Sequence, residues 1–329
     1  MTPRATGVRA PYDAVPVAVR AWVDSVLGSP VVTVAEQVGG MSPGCATRVT
    51  CADGTRAFVK AVGAELNPDS PTLFRREILA LTLIGSHQSW ADLMASYDDG
   101  AWVALVLEDI EGRHPDLADD TDMDLLLGAV DSLGVLLGER VPDPPRPAPW
   151  SGEGPRPAAL FRPGLCDLSE TFRDWLDAFD QAHELPAGQV PSWVIERQTV
   201  LRPGVAALLD QPTDRLVHFD IRDDNLLVRP TGELVFLDWG ATGIGPDWLD
   251  PLLARLERVH LPWFDASVVR SPALARAGDG TVTSWLVGMG VTLAWRAHTQ
   301  VVVGLPTLQA FRRAESARFL SAAARRLGI

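Results

Sequence analysis

Residues 216–228 read LVHFDIRDDNLLV. His218, Asp220, Arg222, Asp223, Asp224 and Asn225 interrupt two apolar runs that have the character of short strands. An unpaired carboxylate inside a core is expensive, so the polar middle belongs in a loop held between strands, where sites form. Residues 232–240, GELVFLDWG, repeat the pattern, with a strand-like run that ends at Asp238. The two stretches read as two strand pairs around a turn at Pro230, Thr231 and Gly232. A carboxylate and an amide near each other can bind a hard cation through oxygen, while a second carboxylate accepts a hydroxyl proton. Magnesium suits such a partial cage, because it keeps waters and completes its shell with phosphate oxygens. That chemistry is phosphoryl transfer.

The chain around this loop has 329 residues, enough for two modest domains sharing a cleft. Its longest nearly uninterrupted apolar stretch, Trp285 to Trp295, is too short to span a bilayer and predicts a buried helix. The first residues lack a basic region followed by an apolar core, so a cytoplasmic protein without membrane contact is expected. Three cysteines, Cys45, Cys51 and Cys166, have neither framework nor CxxC spacing, which argues against a structural zinc site or disulfides. A net charge of −13 argues against a nucleic-acid partner. It is compatible with a cationic substrate, although solubility alone also accounts for it.

In chain order, helical periodicity opens near Ala14 and stops at Gly28 and Pro30. Residues 31–62 then read as strand, glycine-rich loop, strand, turn and strand. A helix follows over 71–84, then strand signals over 93–97 and 101–110. Beyond residue 116 the pattern is helical: first the run 122–140, then 170–183, 193–209, 251–260, 282–298 and 307–327. Residues 141–164, rich in proline and glycine, read as a long loop with the composition of a lid. The acidic run from Asp116 to Asp124 stands before a helix, where it complements the dipole, in preference to attracting a cation.

The spacing His218-x-Asp220-x4-Asn225, followed by Leu237-Asp238-Trp239-Gly240, resembles the kinase-like phosphotransferases, specifically the aminoglycoside phosphotransferase and choline kinase family. The resemblance implies an α+β, bilobal protein-kinase-like fold, with a small β-rich N-terminal lobe over 1–110 and a larger helical lobe over 111–329. It implies that Asp220 aligns or deprotonates the acceptor hydroxyl, that Asn225 and Asp238 hold magnesium, and that Arg222 stands close to the transferring phosphate. Phe219 departs from the glycine most common there. In the first lobe, Gly40, Ser42 and neighbouring amides would cover the phosphates of ATP or GTP. Lys60 would reach those phosphates, with Glu77 holding its stem. Phe58, two residues before Lys60 on one strand face, would stack on the base, and Glu108 carbonyl and Ile110 amide would meet its edge. Asp250 would bond backbone near the catalytic loop.

Taken singly, these residues have plainer readings. Lys60 is a solvated strand lysine, Glu77 a surface partner of Arg75 or Arg76, Phe58 ordinary core, and His218 an architectural hydrogen-bonding residue. Their order along about 200 residues is what the resemblance rests on. The expected function is ATP- and magnesium-dependent phosphorylation of a hydroxyl on a small molecule, an aminoglycoside or other antibiotic, an amino alcohol or a related metabolite, by a monomer or homodimer. The rival readings are a catalytically silent nucleotide-binding module and a protein kinase. No Ala-Pro-Glu segment follows Asp238, and there is no room for a long activation loop, which disfavours the latter.

Overall fold

The computed structural model describes residues 9–37, 42–148, 150–152, 156–300, 302 and 305–329. Helix α1 (Val17–Leu27) ends at Gly28, whose φ of 72° is the left-handed cap a glycine provides. Strands β1 (Val31–Glu36), β2 (Cys45–Cys51) and β3 (Arg56–Gly63) follow, then α2 (Ser70–Ile84), β4 (Leu93–Asp98) and β5 (Trp102–Leu107). The five strands form one antiparallel sheet in the order β1-β2-β3-β5-β4. The last strand is shorter than the expected 101–110.

Side chains alternate across a strand, and β3 shows what this does. Ala57, Val59 and Ala61 pack with Val19 and Val23 of α1 in a small outer core. Phe58, Lys60 and Val62 therefore face the other side, where Val62 and Phe74 belong to the main core. The sheet thus presents a lysine to the interior side beside α2. Gly44 opens β2 because a Cβ there would lie 2.5 Å from the Ala61 carbonyl oxygen.

Helix α3 (Asp120–Arg140) begins the helical lobe. Asp119 caps it through the amides of Thr121 and Asp122, at 2.9 and 3.3 Å, as the dipole reading of the acidic run requires. A two-residue strand β6 (Cys166–Asp167) leads into α4 (Leu168–Asp180), and α5 (Ser192–Glu196) and α6 (Gln198–Ala206) come next. The single helix expected over 193–209 is broken at Arg197. Strand β7 (Arg215–Val217), the hairpin β8 (Leu226–Val228) and β9 (Leu234–Phe236), and β10 (Gly243–Gly245) carry the loops of interest. Helix α7 (Leu249–Leu253) is followed by a 3-10 turn over Leu256–Arg258, so the expected helix 251–260 is also discontinuous. Helices α8 (Pro262–Arg270) and α9 (Pro272–Ala277) were not expected. Each opens on a proline, which is well placed in a first turn. The long α10 (Asp279–Thr299) and α11 (Leu308–Leu327) pack together and close the lobe.

The opening stretch corrects one expectation. Only β8 and β9 form the hairpin, across the turn at Gly232, whereas β7 pairs with β10 and belongs to a separate sheet with β6. The described part of 141–164 is tied to the helical lobe by side-chain hydrogen bonds. Arg146 donates to the Thr213 carbonyl at 2.7 Å and Arg156 to Asp174 at 2.8 Å, while Arg156 also pairs with Glu170. Trp285 lies wholly in the core, edge-on to Trp175 and Phe319. All three cysteines are free and buried. Among the described residues, no helix is long and apolar enough to cross a membrane.

Candidate active site

Two carboxylates meet one ammonium group where the lobes face each other. Lys60 Nζ donates to Glu77 Oε2 at 2.5 Å and to Asp238 Oδ1 at 3.0 Å. Glu77 is 2 % exposed, whereas the Asp238 side chain keeps half of its surface open. Burial acts against the charge on Lys60, but Asp238 and Glu77 together outweigh it and raise its pKa. Burial likewise works to raise the Asp238 carboxyl, yet Lys60 and Arg222 hold it down at about 2. Glu77 takes no partner from Arg75 or Arg76, because Arg75 pairs with Asp98 at 2.7 Å and Arg76 turns elsewhere.

The catalytic-type loop is built on hydrogen bonds from below. Asp250 accepts the amides of His218 (2.8 Å) and Phe219 (2.9 Å), the backbone role expected of it. Burial lowers the His218 pKa, and both ring nitrogens are used. Nε2 donates to the Leu237 carbonyl at 3.0 Å and Nδ1 accepts the Asp220 amide at 3.2 Å. His218 is therefore a strut between the loop and the residue before Asp238. Phe219 has a φ of 65° and Asp238 one of 60°, the only non-glycine residues with positive φ among those described. At Phe219 the backbone is in the region a glycine tolerates best, which is the physical content of the departure noted in the sequence.

Asn225 closes the arrangement. Its Nδ2 donates to Asp220 Oδ2 (2.8 Å) and to the Asp220 carbonyl (3.0 Å), while its own carbonyl accepts the Leu237 amide at 2.8 Å. With Nδ2 spent, Oδ1 is the atom left for a cation. Asp220, Asn225 and Asp238 are thus brought together by direct bonds or through adjacent residues, opposite Lys60. Burial raises the Asp220 carboxyl, with Arg222 opposing and Asp238 reinforcing the shift. Arg222 reaches Asp224 at 2.8 Å and stands 3.7 Å from Asp220.

The oxygen donor set of Asn225 and Asp238 fits a hard divalent ion that completes its shell with phosphate and water. Among the described residues, no group of three or more His, Cys, Asp or Glu could hold a metal by itself.

The remaining expected residues lie along the sheet. Ser42 Oγ accepts the Gly44 amide at 3.3 Å and shapes the turn into β2. Gly40 lies outside the described residues. Phe58 is partly buried against the main core on the face it shares with Lys60. The Glu108 side chain pairs with Arg229 at 3.0 Å, and its backbone amide bonds the Asp92 carbonyl. Ile110 is buried, and its carbonyl accepts Arg48 Nη2 at 2.8 Å. No sequence pattern pointed to Arg9. The Ala10 amide bonds the Pro43 carbonyl at 3.0 Å, which lays this segment against the residues that lead into β2. Burial lowers the Arg9 pKa against the fields of Asp238 and Asp224.

A β-rich lobe over a helical lobe, with this loop between them, defines a phosphotransferase of the protein-kinase-like class. Residues 67–270, more than half of the chain, match the model of the Phosphotransferase enzyme family, and the chain belongs to that family. No curated protein matches it. Solved structures show the same fold at low identity. A thermostable mutant of aminoglycoside phosphotransferase APH(4)-Ia, in complex with ADP and hygromycin B, aligns over 93% of this chain and 99% of its own, with 13% identity and a TM-score of 0.55. Choline kinase LicA from Streptococcus pneumoniae aligns over 94% and 98%, with 15% identity and a TM-score of 0.57. Spectinomycin phosphotransferase APH(9)-Ia aligns over 93% and 97%, with 10% identity and a TM-score of 0.55. Family and fold together place the chain among the phosphotransferases.

Proposed function

We propose that the protein transfers the γ-phosphate of ATP, with magnesium, to a hydroxyl of a small molecule. One observation carries this reading: a single buried ammonium, Lys60, binds Glu77 and Asp238 together while Asp238 is tethered through Leu237 to the loop that bears Asp220 and Asn225. Phosphoryl transfer asks for little covalent chemistry from a protein, and mostly for positioning and charge neutralisation. This constellation supplies both.

In this reading the sheet lobe to about residue 110 holds the nucleotide, and the helical lobe presents the acceptor. Lys60 neutralises phosphate oxygens, Glu77 fixes the lysine stem, and Phe58 with the 108–110 backbone receives the base. Magnesium held by Asn225 and Asp238 would offset the charge on the phosphoryl oxygens and leave room for phosphate in its shell. Asp220 orients the acceptor hydroxyl and takes its proton, a task that its raised pKa favours. Arg222 keeps a positive charge beside it.

The acceptor class is an alcohol. Relatives of known structure are described with hygromycin B and with spectinomycin, or are named for choline. The test is incubation with ATP, magnesium and a panel of hydroxylated amines, aminocyclitols and amino alcohols, read as an added phosphate by mass. Transfer is expected in the wild type, with turnover lower by roughly a thousandfold in Asp220→Asn and ATP affinity unchanged. Equal transfer by the purified variant would refute the role of Asp220.

A further inference from the structure

Arg76, the neighbour of Glu77 on α2, is 1 % exposed. Among the described residues no carboxylate pairs with it. Its fork is spent on three backbone carbonyls: Nε on Gly164 at 2.6 Å, Nη2 on Arg162 at 2.7 Å and Nη1 on Gly240 at 3.2 Å. Burial lowers its pKa. Enclosing a cation without a counter-ion is costly, and an apolar side chain of similar length would fill the space more cheaply. The guanidinium is explained by what a rigid, planar set of donors can hold that a methylene chain cannot.

What it holds is informative. Gly240 follows Asp238 by two residues, and Arg162 and Gly164 belong to the segment that Arg156 and Arg162 fasten to Glu170 of α4. Successive helical residues point about 100° apart, so α2 aims Glu77 at Lys60 and Arg76 at these carbonyls. Gly240 also presses on α2 directly, since a Cβ there would stand 3.2 Å from the Leu73 carbonyl oxygen. A shift of α2 that released Glu77 would break the Arg76 fork as well.

We propose that Arg76 is a positioning residue that ties α2 to the Asp238 loop and to the 162–164 segment, so that Lys60, Glu77 and Asp238 keep one mutual placement. The proposal concerns the site assigned above and rests on that reading for its effect on nucleotide.

Two measurements test it. The first needs no nucleotide: hydrogen exchange of the amides in 160–166 and 237–242 in Arg76→Lys, which keeps the charge and loses the fork, and in Arg76→Met, which removes the buried charge. Arg75→Lys, an exposed neighbour on Asp98, is the control. Exchange about tenfold faster in both segments for the Arg76 variants, with the control unchanged, is expected. Wild-type protection in either folded Arg76 variant overturns the proposal.

The second is a double-mutant cycle between Arg76→Lys and Glu77→Gln, read as the magnesium-dependent affinity for ADP. Each single variant is expected to lose about tenfold and the double little more than the worse single. Strictly multiplicative losses mean independent roles and contradict it. If the wild type shows no magnesium-dependent ADP binding, the functional reading fails, and the exchange result still decides whether Arg76 is the clamp.

Discussion

Lys60 shows how far one side chain can be specialised by its surroundings. Its ammonium serves two carboxylates at 2.5 and 3.0 Å and sits 5.1 Å from the Phe74 ring centroid, with only 9 % of the residue exposed. A point charge on a slim stem fits there, whereas a planar guanidinium needs more room and a different acceptor geometry. Lys60→Arg is therefore expected to lower kcat on the order of a hundredfold, although the charge is kept. Steady-state kinetics on purified variant checks this, and kcat within about twofold of wild type would contradict the point-charge role. Asp220 depends on its surroundings in the same way, through Asn225, Arg222 and the His218 ring.

At the scale of elements, the loop from His218 to Asn225 is held from below by Asp250 and from the side by the strand end at Leu237. Removing the Asp250 carboxylate strands two amides in a buried place. Asp250→Ala is expected to cost about 3 kcal/mol, read by urea denaturation, and to lower turnover with it. A loss below about 0.5 kcal/mol would show that the loop does not need this support. The elements that carry the site were legible in the sequence for a physical reason. The alternation of β3 and the polar loop before Leu226 are local patterns. Asp220, Asn225 and Asp238 were singled out through the resemblance that their spacing has to a known family, and the structure joins them by hydrogen bonds directly or through Leu237. What escaped depends on tertiary contact. The partner of β7 is β10, nearly thirty residues away, and no alternation announces that pairing. The break at Arg197 and the short α8 and α9 have too few turns to show a period. The carbonyls that Arg76 holds are invisible to any pattern of side chains.

At the scale of the whole molecule, the cleft between lobes is an electrostatic balance. The chain carries a net charge of −13, yet Lys60, Arg222 and Arg9 gather around Asp220, Asp224 and Asp238. A triphosphate brings further negative charge to this place, so its binding should require the divalent ion that Asn225 and Asp238 are suited to hold. The most direct measurement is a titration of ATP by calorimetry, in magnesium and then in excess chelator, on wild type and Asp238→Ala. Binding in magnesium, weakened at least about tenfold by chelation and by the substitution, is the expected result. Affinity that is indifferent to both, or no affinity for ATP at all, would contradict the claim that these residues form a phosphate-transfer centre.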